Sequence, residues 1–231
     1  MRMISWEKLP PQMQTEAVKP YYEILQKKQV SLIFKRSFDI VVSVIMLLIL
    51  SPVFLVLAIA IKLDSKGPVF YRQVRVTQYG KEFRIFKFRT MVNNADKIGS
   101  QVTVGGDNRI TRVGKVIRDC RLDEIGQLLN ILGGSMTFVG TRPEVPKYVE
   151  KYTPEMWATL LLPAGVTSEA SIRYKDEAAL LDAAEDVDAI YIQDVLPGKM
   201  KYNLRSIQEY SFFKDIKTMF QTVSAVINRN N

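Results

Sequence analysis

Histidine is absent from this 231-residue chain, and cysteine occurs once, at Cys120. The absence of histidine excludes Ser-His and Cys-His nucleophilic systems, HExxH metalloprotease sites and zinc sites built from Cys and His. Any catalysis must therefore use Asp, Glu, Lys, Arg, Tyr, Ser or Thr. One cysteine cannot form an internal disulfide, which fits a reducing compartment, and we expect Cys120 to be a buried filler rather than a reactive thiol.

Acidic residues are scarce in the middle of the chain. Residues 70–121 hold twelve Lys or Arg against four acids, which equals the net charge of +8 of the whole chain, whereas residues 176–188 hold six acids and no base. The positive field is therefore local, and it favours phosphates or anionic lipid as partners. An ordinary solvated basic face is the alternative.

The longest uncharged run extends from Ile40 to Ile61, enough helix to span about 30 Å of hydrocarbon. It begins too far into the chain, and is too long, for a cleavable signal peptide. Pro52, near its middle, removes an N–H group and clashes with the carbonyl four residues earlier, and Ser51 can hydrogen-bond a carbonyl freed there. The run is thus a membrane segment with a break.

Basic residues flank this run on both sides, with Lys35 and Arg36 before it and Lys62 and Lys66 after it. Because basic flanks favour the cytoplasm, we expect residues 35–66 to form a re-entrant helix-break-helix hairpin with both ends on one side. A kinked spanning helix and a buried core helix are the alternatives.

The rest of the chain predicts a mostly α protein with one small β-hairpin and a single domain with embellishments. Residues 1–34 form an N-terminal extension in which YYEILQKKQVSLIF predicts a short amphipathic helix on the membrane surface, or a partner contact. VFYRQVRV and KEFRIFKFRTM predict the two strands of the hairpin around Gly80.

Helices follow the hairpin after a polar loop at 93–110. The first is predicted from about Gly114 to a stop at Gly133-Gly134. Two amphipathic helices, Asp176 to Val195 and Asn203 to Asn228, are expected on either side of Pro197-Gly198.

Basic side chains alternate with aromatic ones in the hairpin, a pattern that also suits single-stranded nucleic acid. The neighbouring hydrophobic run disfavours this interpretation, so we expect no nucleic-acid partner.

Two adjacent carboxylates, Asp123 and Glu124, lie beside Arg118 and Arg121, close in sequence to the basic hairpin. Acids in the first turn of a helix commonly serve its dipole, so the pair by itself is weak evidence for chemistry.

The order of the surrounding segments indicates a function for Asp123 and Glu124. One pattern accounts for four segments in sequence: KRSFDIVVSVIMLLILSPVFLVLAIAIKL, GPVFYRQVRV, KEFRIFKFRTM and RLDEIGQLLNILGGSMTFVGTRP. Over residues 35–145 this pattern resembles the bacterial sugar transferase family, specifically its small monotopic phosphoglycosyl transferases. The chain departs from the family where Gly126 and Thr141 replace Pro, and where AGVT at 164–167 replaces Pro-Gly-Ile-Thr.

The resemblance implies a transferase that moves a phosphosugar from a UDP-sugar to polyprenyl phosphate and releases UMP. Asp123 would attack the β-phosphate and carry the phosphosugar, while Glu124 would share Mg²⁺ binding with Asp123 or manage protons. Ser51 and Pro52 would break the re-entrant helix, and residues 67–231 would form a cytoplasmic catalytic domain. Phosphate binding is implied for four further residues: Arg118, Arg142, Lys87 and Arg89.

The resemblance also implies a place at the cytoplasmic face of a bacterial inner membrane, at the first membrane step of surface glycan synthesis. A homo-oligomer and downstream glycosyltransferases are the further partners it suggests. A non-catalytic, membrane-anchored binding or scaffold protein is the rival interpretation.

Overall fold

A computed structural model of the chain describes residues 1–95, 107–174 and 186–227. Within these residues the protein is mostly helical with small sheets, as expected from the sequence. The helices are α1 (Lys19–Gln26), α2 (Gln29–Asp64), α3 (Arg112–Asp119), α4 (Gln127–Gly133), α5 (Pro146–Val149), α6 (Glu169–Arg173), α7 (Val187–Ile190), α8 (Leu196–Gln208) and α9 (Phe212–Ile227). The strands are β1 (Phe70–Tyr71), β2 (Val74–Val76), β3 (Glu82–Arg84), β4 (Lys87–Phe88), β5 (Met136–Val139) and β6 (Ala164–Thr167).

The predicted hairpin is confirmed, although it is divided into two antiparallel ladders. β1 pairs with β4, and β2 pairs with β3 across the turn at Gly80. Between the ladders, the side chain of Asn130 accepts from the amide of Phe86 at 2.7 Å and donates to the carbonyl of Arg84 at 3.1 Å. Asn130 belongs to α4, so the hairpin is fixed to the helix that follows the carboxylate pair.

The helical run predicted from Gly114 is interrupted. α3 ends at Asp119, and Arg121 adopts a left-handed conformation (φ 54°) that starts a separate 3₁₀ turn, Leu122–Gly126. α4 then ends as predicted, with Gly134 left-handed at φ 85°. The two carboxylates therefore lie in a tight turn between helices. Cys120 is exposed at this junction, so the prediction of a buried filler was wrong.

β5 and β6 form a parallel pair that the sequence did not predict, because each strand is only four residues long and they are distant in sequence. Two more hydrogen bonds join β6 to the residues just after β5. The amide of Gly140 donates to the carbonyl of Thr167 at 3.0 Å, and the amide of Gly165 donates to the carbonyl of Thr141 at 2.8 Å. This pair therefore fixes the backbone just before Arg142.

α2 is a 36-residue helix that contains Pro52. It is long and apolar enough to cross a membrane, and only 11% of its most apolar window is buried within the protein. Pro52 cannot donate to the carbonyl of Leu48, and the hydroxyl of Ser51 donates to that carbonyl instead, at 2.8 Å. The expected compensation at the proline is thus present.

Both ends of α2 are held by the rest of the protein. Near its start, the guanidinium of Arg36 donates to the carbonyl of Ile131 at 2.6 Å. At its last residue, the carboxylate of Asp64 accepts from the amide of Val113 at 3.1 Å. These two contacts lie on opposite sides of Pro52, so the arms of α2 before and after the proline are each tied to the helices that flank the carboxylate pair.

The N-terminal helix differs from the expectation. α1 exists, but Tyr21, Tyr22 and Leu25 are buried in the main apolar cluster, and the hydroxyl of Tyr21 donates to Glu155 at 2.6 Å. The prediction that this helix lies on a membrane surface or on a partner is wrong for α1, because its apolar face is covered by the chain itself.

The predicted break between the C-terminal helices, at Pro197-Gly198, was wrong. The chain runs from α7 through a π turn, Tyr191–Val195, directly into α8, and the break falls after Gln208. The π turn immediately precedes Pro197, where its irregular hydrogen bonding tolerates the missing N–H group. Residues 176–185, most of the predicted loop at 93–110 and Asn228 lie outside the described residues.

Candidate active site

The adjacent carboxylates of the 3₁₀ turn line different cavities. Asp123 lines a polar cavity of about 570 Å³, together with Lys87 and Arg118. Glu124 lines a cavity of about 460 Å³ with mostly apolar walls, together with Arg142. The turn thus separates the two carboxylates, and each lies near cations that the sequence had assigned to phosphate binding.

Glu124 is held by two cations. Lys87 approaches its Oε1 atom at 3.0 Å, and the guanidinium of Arg142 donates to both of its carboxylate oxygens. Burial alone would raise the pKa of this carboxyl group, but Arg142 and Lys87 outweigh burial and lower the pKa of Glu124 well below its ordinary value. Glu124 therefore stays ionised and is poorly suited to carry protons.

For Asp123, burial outweighs the nearby cations, so its pKa shifts in the opposite direction from that of Glu124. Burial is the largest effect and raises the pKa of its carboxyl group, Lys87 lowers it, and the charge of Glu124 raises it again. Two neighbouring carboxylates whose pKa values are pushed apart are typical of sites where they have different roles. Asp123 is accordingly the carboxylate whose protonation would limit a reaction at low pH.

If Asp123 is the nucleophile that the resemblance implies, the single-turnover reaction should lose rate as pH falls through the raised pKa of Asp123, because only the carboxylate is nucleophilic. Glu124→Gln removes a negative charge that raises this pKa, so the acid limb of the pH profile should move to lower pH. The rate of UMP release against pH, in wild type and Glu124→Gln, measures the displacement. An acid limb that moves to higher pH would contradict the assignment.

Arg118 is positioned by Thr90, which lies two residues after β4. Its Nε atom donates to the hydroxyl of Thr90 at 2.8 Å, and the amide of Thr111 donates to the carbonyl of Thr90 at 3.0 Å. α3 can approach this closely because residue 114 is glycine, since a Cβ atom there would lie 2.0 Å from that carbonyl oxygen. Thr90 therefore fixes both the helix and the guanidinium.

Arg89, which the resemblance assigns to phosphate binding, also contacts the end of α2. It lines the polar cavity but is only 5% exposed, and its terminal nitrogens donate to the carbonyls of Lys66 at 2.6 Å and Ser65 at 2.7 Å. These carbonyls follow the last residue of α2, so Arg89 secures the end of that helix. Its phosphate contact stays a prediction, because Arg89 also lines the polar cavity.

Arg142 is presented by the β5–β6 pair. Its Nη1 atom lies 3.4 Å from the carbonyl of Val166 in β6, and the residue that follows it, Pro143, accepts from Arg75 at 3.1 Å. Arg75 lines the polar cavity, is partly buried, and also donates two side-chain hydrogen bonds to Gln73. The guanidinium of Arg142 is thus directed at Glu124 by backbone on both sides.

Ser51 and Pro52 stand apart from the other predicted site residues. Both are exposed in the middle of α2, and neither lines either cavity. The sequence did not single out Thr90, Arg75 or Gln127, the last of which is buried in the apolar cavity. The signals available were the threonine directly after KFR and, for Gln127, its position three residues after Glu124 in a helical run.

No group of three or more potential metal ligands occurs within the ranges 1–95, 107–174 and 186–227. Mg²⁺ keeps several waters and commonly binds through one or two carboxylates together with substrate phosphates, so the adjacent carboxylates of Asp123 and Glu124 fit that pattern. Because Glu124 already binds two cations, Asp123 is the carboxylate better placed to contact a cation that arrives with a diphosphate.

The chain matches the family described as bacterial sugar transferase over residues 30–229. It is 35% identical to a UDP-N-acetylgalactosamine-undecaprenyl-phosphate N-acetylgalactosaminephosphotransferase of Aeromonas hydrophila, over 84% of this chain and 43% of that protein. It is 32% identical to a UDP-glucose:undecaprenyl-phosphate glucose-1-phosphate transferase of Caulobacter vibrioides, over 85% of this chain and 71% of that protein. An exopolysaccharide production protein of Sinorhizobium fredii is 29% identical over 84% of this chain and 85% of its own length. The chain spans about two fifths of the length of three of its curated relatives, the Aeromonas protein among them.

Proposed function

We propose, because the chain belongs to the bacterial sugar transferase family, that it transfers a sugar 1-phosphate from a UDP-sugar to a polyprenyl phosphate. The observation that carries the proposal is the carboxylate pair, in which Asp123 lines a polar cavity with cationic groups and Glu124 lines an apolar one. The matched relatives are named for the transfer of glucose or N-acetylgalactosamine phosphate to undecaprenyl phosphate, which agrees with this chemistry.

In the first half-reaction, an oxygen of Asp123 attacks the phosphorus that bears the sugar. A new bond forms between this oxygen and phosphorus, the bond to the bridging oxygen of the diphosphate breaks, and UMP leaves with that electron pair. A carboxylate needs no general base for this step, which suits a chain without histidine. Lys87 and Arg118 are positioned to neutralise charge on the diphosphate.

In the second half-reaction, a phosphate oxygen of the polyprenyl acceptor attacks the same phosphorus. The bond to Asp123 breaks and the carboxylate is restored, so that polyprenyl-diphospho-sugar is the product. Glu124 takes no part in bond making, because its ion pairs with Lys87 and Arg142 hold it ionised. Its role is to position these two cations beside the reacting phosphates.

Mg²⁺, when bound, would supply charge neutralisation to the diphosphate and to the leaving UMP. We expect chelation with EDTA to abolish UMP release and addition of Mg²⁺ to restore it, whereas thermal stability without substrate should change little because the cation arrives with the nucleotide. UMP release and thermal unfolding, measured with and without EDTA, test this together. Full turnover in EDTA would contradict a metal requirement.

We also propose that α2 enters the membrane and returns to the cytoplasmic face of the inner membrane. Support comes from the two ends of α2, which contact α4 and α3, and from the apolar middle, where Leu48 is 71% exposed. Basic residues on both sides of the segment favour the same arrangement.

Pro52→Ala should restore the missing N–H group and favour a straighter helix that spans the bilayer. We expect a cysteine introduced at residue 68, next to the end of α2, to become labelled from the periplasm in a fraction of the Pro52→Ala molecules but not in the parent. The alanine substitution at Ser51 is the matched control, because it keeps the proline. Identical labelling of all variants would show that packing on α3 and α4, rather than Pro52, sets the topology.

UMP release across a panel of UDP-sugars, with polyprenyl phosphate in detergent, tests the proposed function. The transferase should release UMP with at least one donor and form a lipid-linked diphospho-sugar. A scaffold protein would release none, and a nucleic-acid-binding protein would instead show salt-sensitive affinity for oligonucleotides.

A further inference from the structure

The cavity beside Glu124 has a chemically divided lining. Most of its wall is apolar and comes from different elements, namely Met46 of α2, Leu128 of α4, Phe138 of β5, Ile172 of α6 and Met219 of α9. Its charged lining residues are Glu124, Arg142 and Arg121, and further polar groups come from Gln127, Thr167, Ser171 and Thr222. Such a lining suits an amphiphile with an apolar body and an anionic head group.

Gln127 lies in the wall of the same cavity, and its residue is only 1% exposed. Neither its amide nitrogen nor its amide oxygen has a hydrogen-bond partner among the described residues. A buried amide without partners is destabilising, and proteins seldom retain one without a ligand or a water to satisfy it. The unpaired amide therefore leaves a hydrogen-bond donor and an acceptor available to a polar ligand atom in the wall of the apolar cavity.

We propose that this cavity binds the phosphate-proximal isoprene units of the acceptor lipid, with the acceptor phosphate between Gln127 and Arg142. This inference rests on the proposed function and deepens it. The amide of Gln127 donates to a phosphate oxygen, Arg142 supplies the positive charge, and the apolar wall covers the hydrocarbon. The cavity is lined by residues of α2 and α9, both of which expose large apolar side chains, such as Leu48 at 71% and the lining residue Val223 at 57%, so a lipid reaches it from the membrane.

In this proposal each cavity binds a different substrate. The polar cavity beside Asp123 presents guanidinium and ammonium groups to a nucleotide diphosphate, whereas the apolar cavity offers few partners for a hydrophilic nucleotide sugar. Asp123 and Glu124 belong to the same 3₁₀ turn, so discharge of the phosphosugar requires the acceptor phosphate to cross this turn to Asp123.

The first test fills the cavity by Met219→Trp or Ile172→Trp. We expect the KM for polyprenyl phosphate to rise at least tenfold, because the indole occupies the space of the isoprene units. The burst of UMP release without acceptor should persist, because the first half-reaction uses the other cavity. Phe220→Trp is the matched control: it adds the same group one residue away, on the exposed face of α9, and should leave the acceptor KM unchanged.

The second test is Gln127→Leu, which removes the unpaired amide while keeping a similar volume. The substituted protein should melt about 2–4 °C higher without ligand, because a buried unsatisfied polar group is lost, yet its acceptor KM should rise about tenfold. A merely structural glutamine would not couple higher stability to weaker acceptor binding.

The outcomes distinguish this inference from the proposed function. If wild type releases no UMP from any UDP-sugar, the proposed function fails. If wild type turns over, but the acceptor KM is unchanged in Met219→Trp, Ile172→Trp and Gln127→Leu, the cavity does not bind the acceptor and only the inference fails.

Discussion

Asp123→Asn should reduce UMP release at least about 1,000-fold, a loss typical for removal of a catalytic nucleophile. The amide keeps the size of the side chain but is neutral and a poor nucleophile. Because Asp123 lies in a short turn rather than inside a helix, the substitution should leave the fold intact. Turnover, binding of UDP-sugar and thermal stability of the purified variant should be measured together.

Glu124→Gln is the matched control, since it makes the same chemical change one residue away. It removes the negative charge that holds Lys87 and Arg142, so it should be impaired but retain measurable turnover. If Asp123→Asn released UMP near the wild-type rate, or if Glu124→Gln were the less active of the two, the assignment of the nucleophile would be wrong.

Gly165→Ala should destabilise the protein by about 3 kcal/mol, near the upper range for overpacking, and lower its melting temperature by about 6–12 °C. A Cβ atom at residue 165 would lie 2.2 Å from both the backbone nitrogen and the backbone oxygen of Gly140. Backbone atoms cannot move aside as a flexible side chain can, so β6 must separate from the chain after β5. That backbone leads to Arg142, and turnover at permissive temperature should fall as well.

The control for this prediction is Gly133→Ala. A Cβ atom at residue 133 would have no neighbour within 4 Å, and the residue ends α4, where alanine is the better helix former. Gly133→Ala should therefore melt at or slightly above the wild-type temperature. Equal melting temperatures for both alanine variants and wild type would show that the close approach of Gly165 to Gly140 is not required.

Local patterns predicted the local features of this fold. Alternating basic and apolar residues indicated the hairpin, Gly133-Gly134 indicated the end of α4, and the pair Ser51-Pro52 indicated where a carbonyl would need a new donor. These features depend on a few neighbouring residues, so the sequence contains the physical information that determines them.

Features that depend on distant contacts were missed. The β5–β6 pair joins strands that are far apart in sequence, and the burial of α1 depends on segments such as the one containing Glu155. The helix across Pro197 continued because a π turn precedes it, a local irregularity that periodicity does not reveal. Tertiary packing decides these cases.

For the site, the sequence identified the two carboxylates and most of the nearby cations, but it did not show which cation contacts which carboxylate. Lys87 and Arg142 contact Glu124, while Arg89 supports the end of α2. A spacing pattern shows which residues are charged, but it does not show which carbonyls or carboxylates lie within reach after folding. The separation of Asp123 and Glu124 between two cavities became visible only in the structure.

The central claim is that Asp123 forms a covalent phosphosugar intermediate, and mass spectrometry of the intact protein tests it most directly. Wild-type protein incubated with its UDP-sugar and Mg²⁺, without acceptor, should gain the mass of one sugar phosphate, and peptide mapping should place the adduct on Asp123. Addition of polyprenyl phosphate should remove the adduct. If UMP is released only when the acceptor is present, and no adduct accumulates on wild-type protein, the transfer is direct and the account of Asp123 is contradicted.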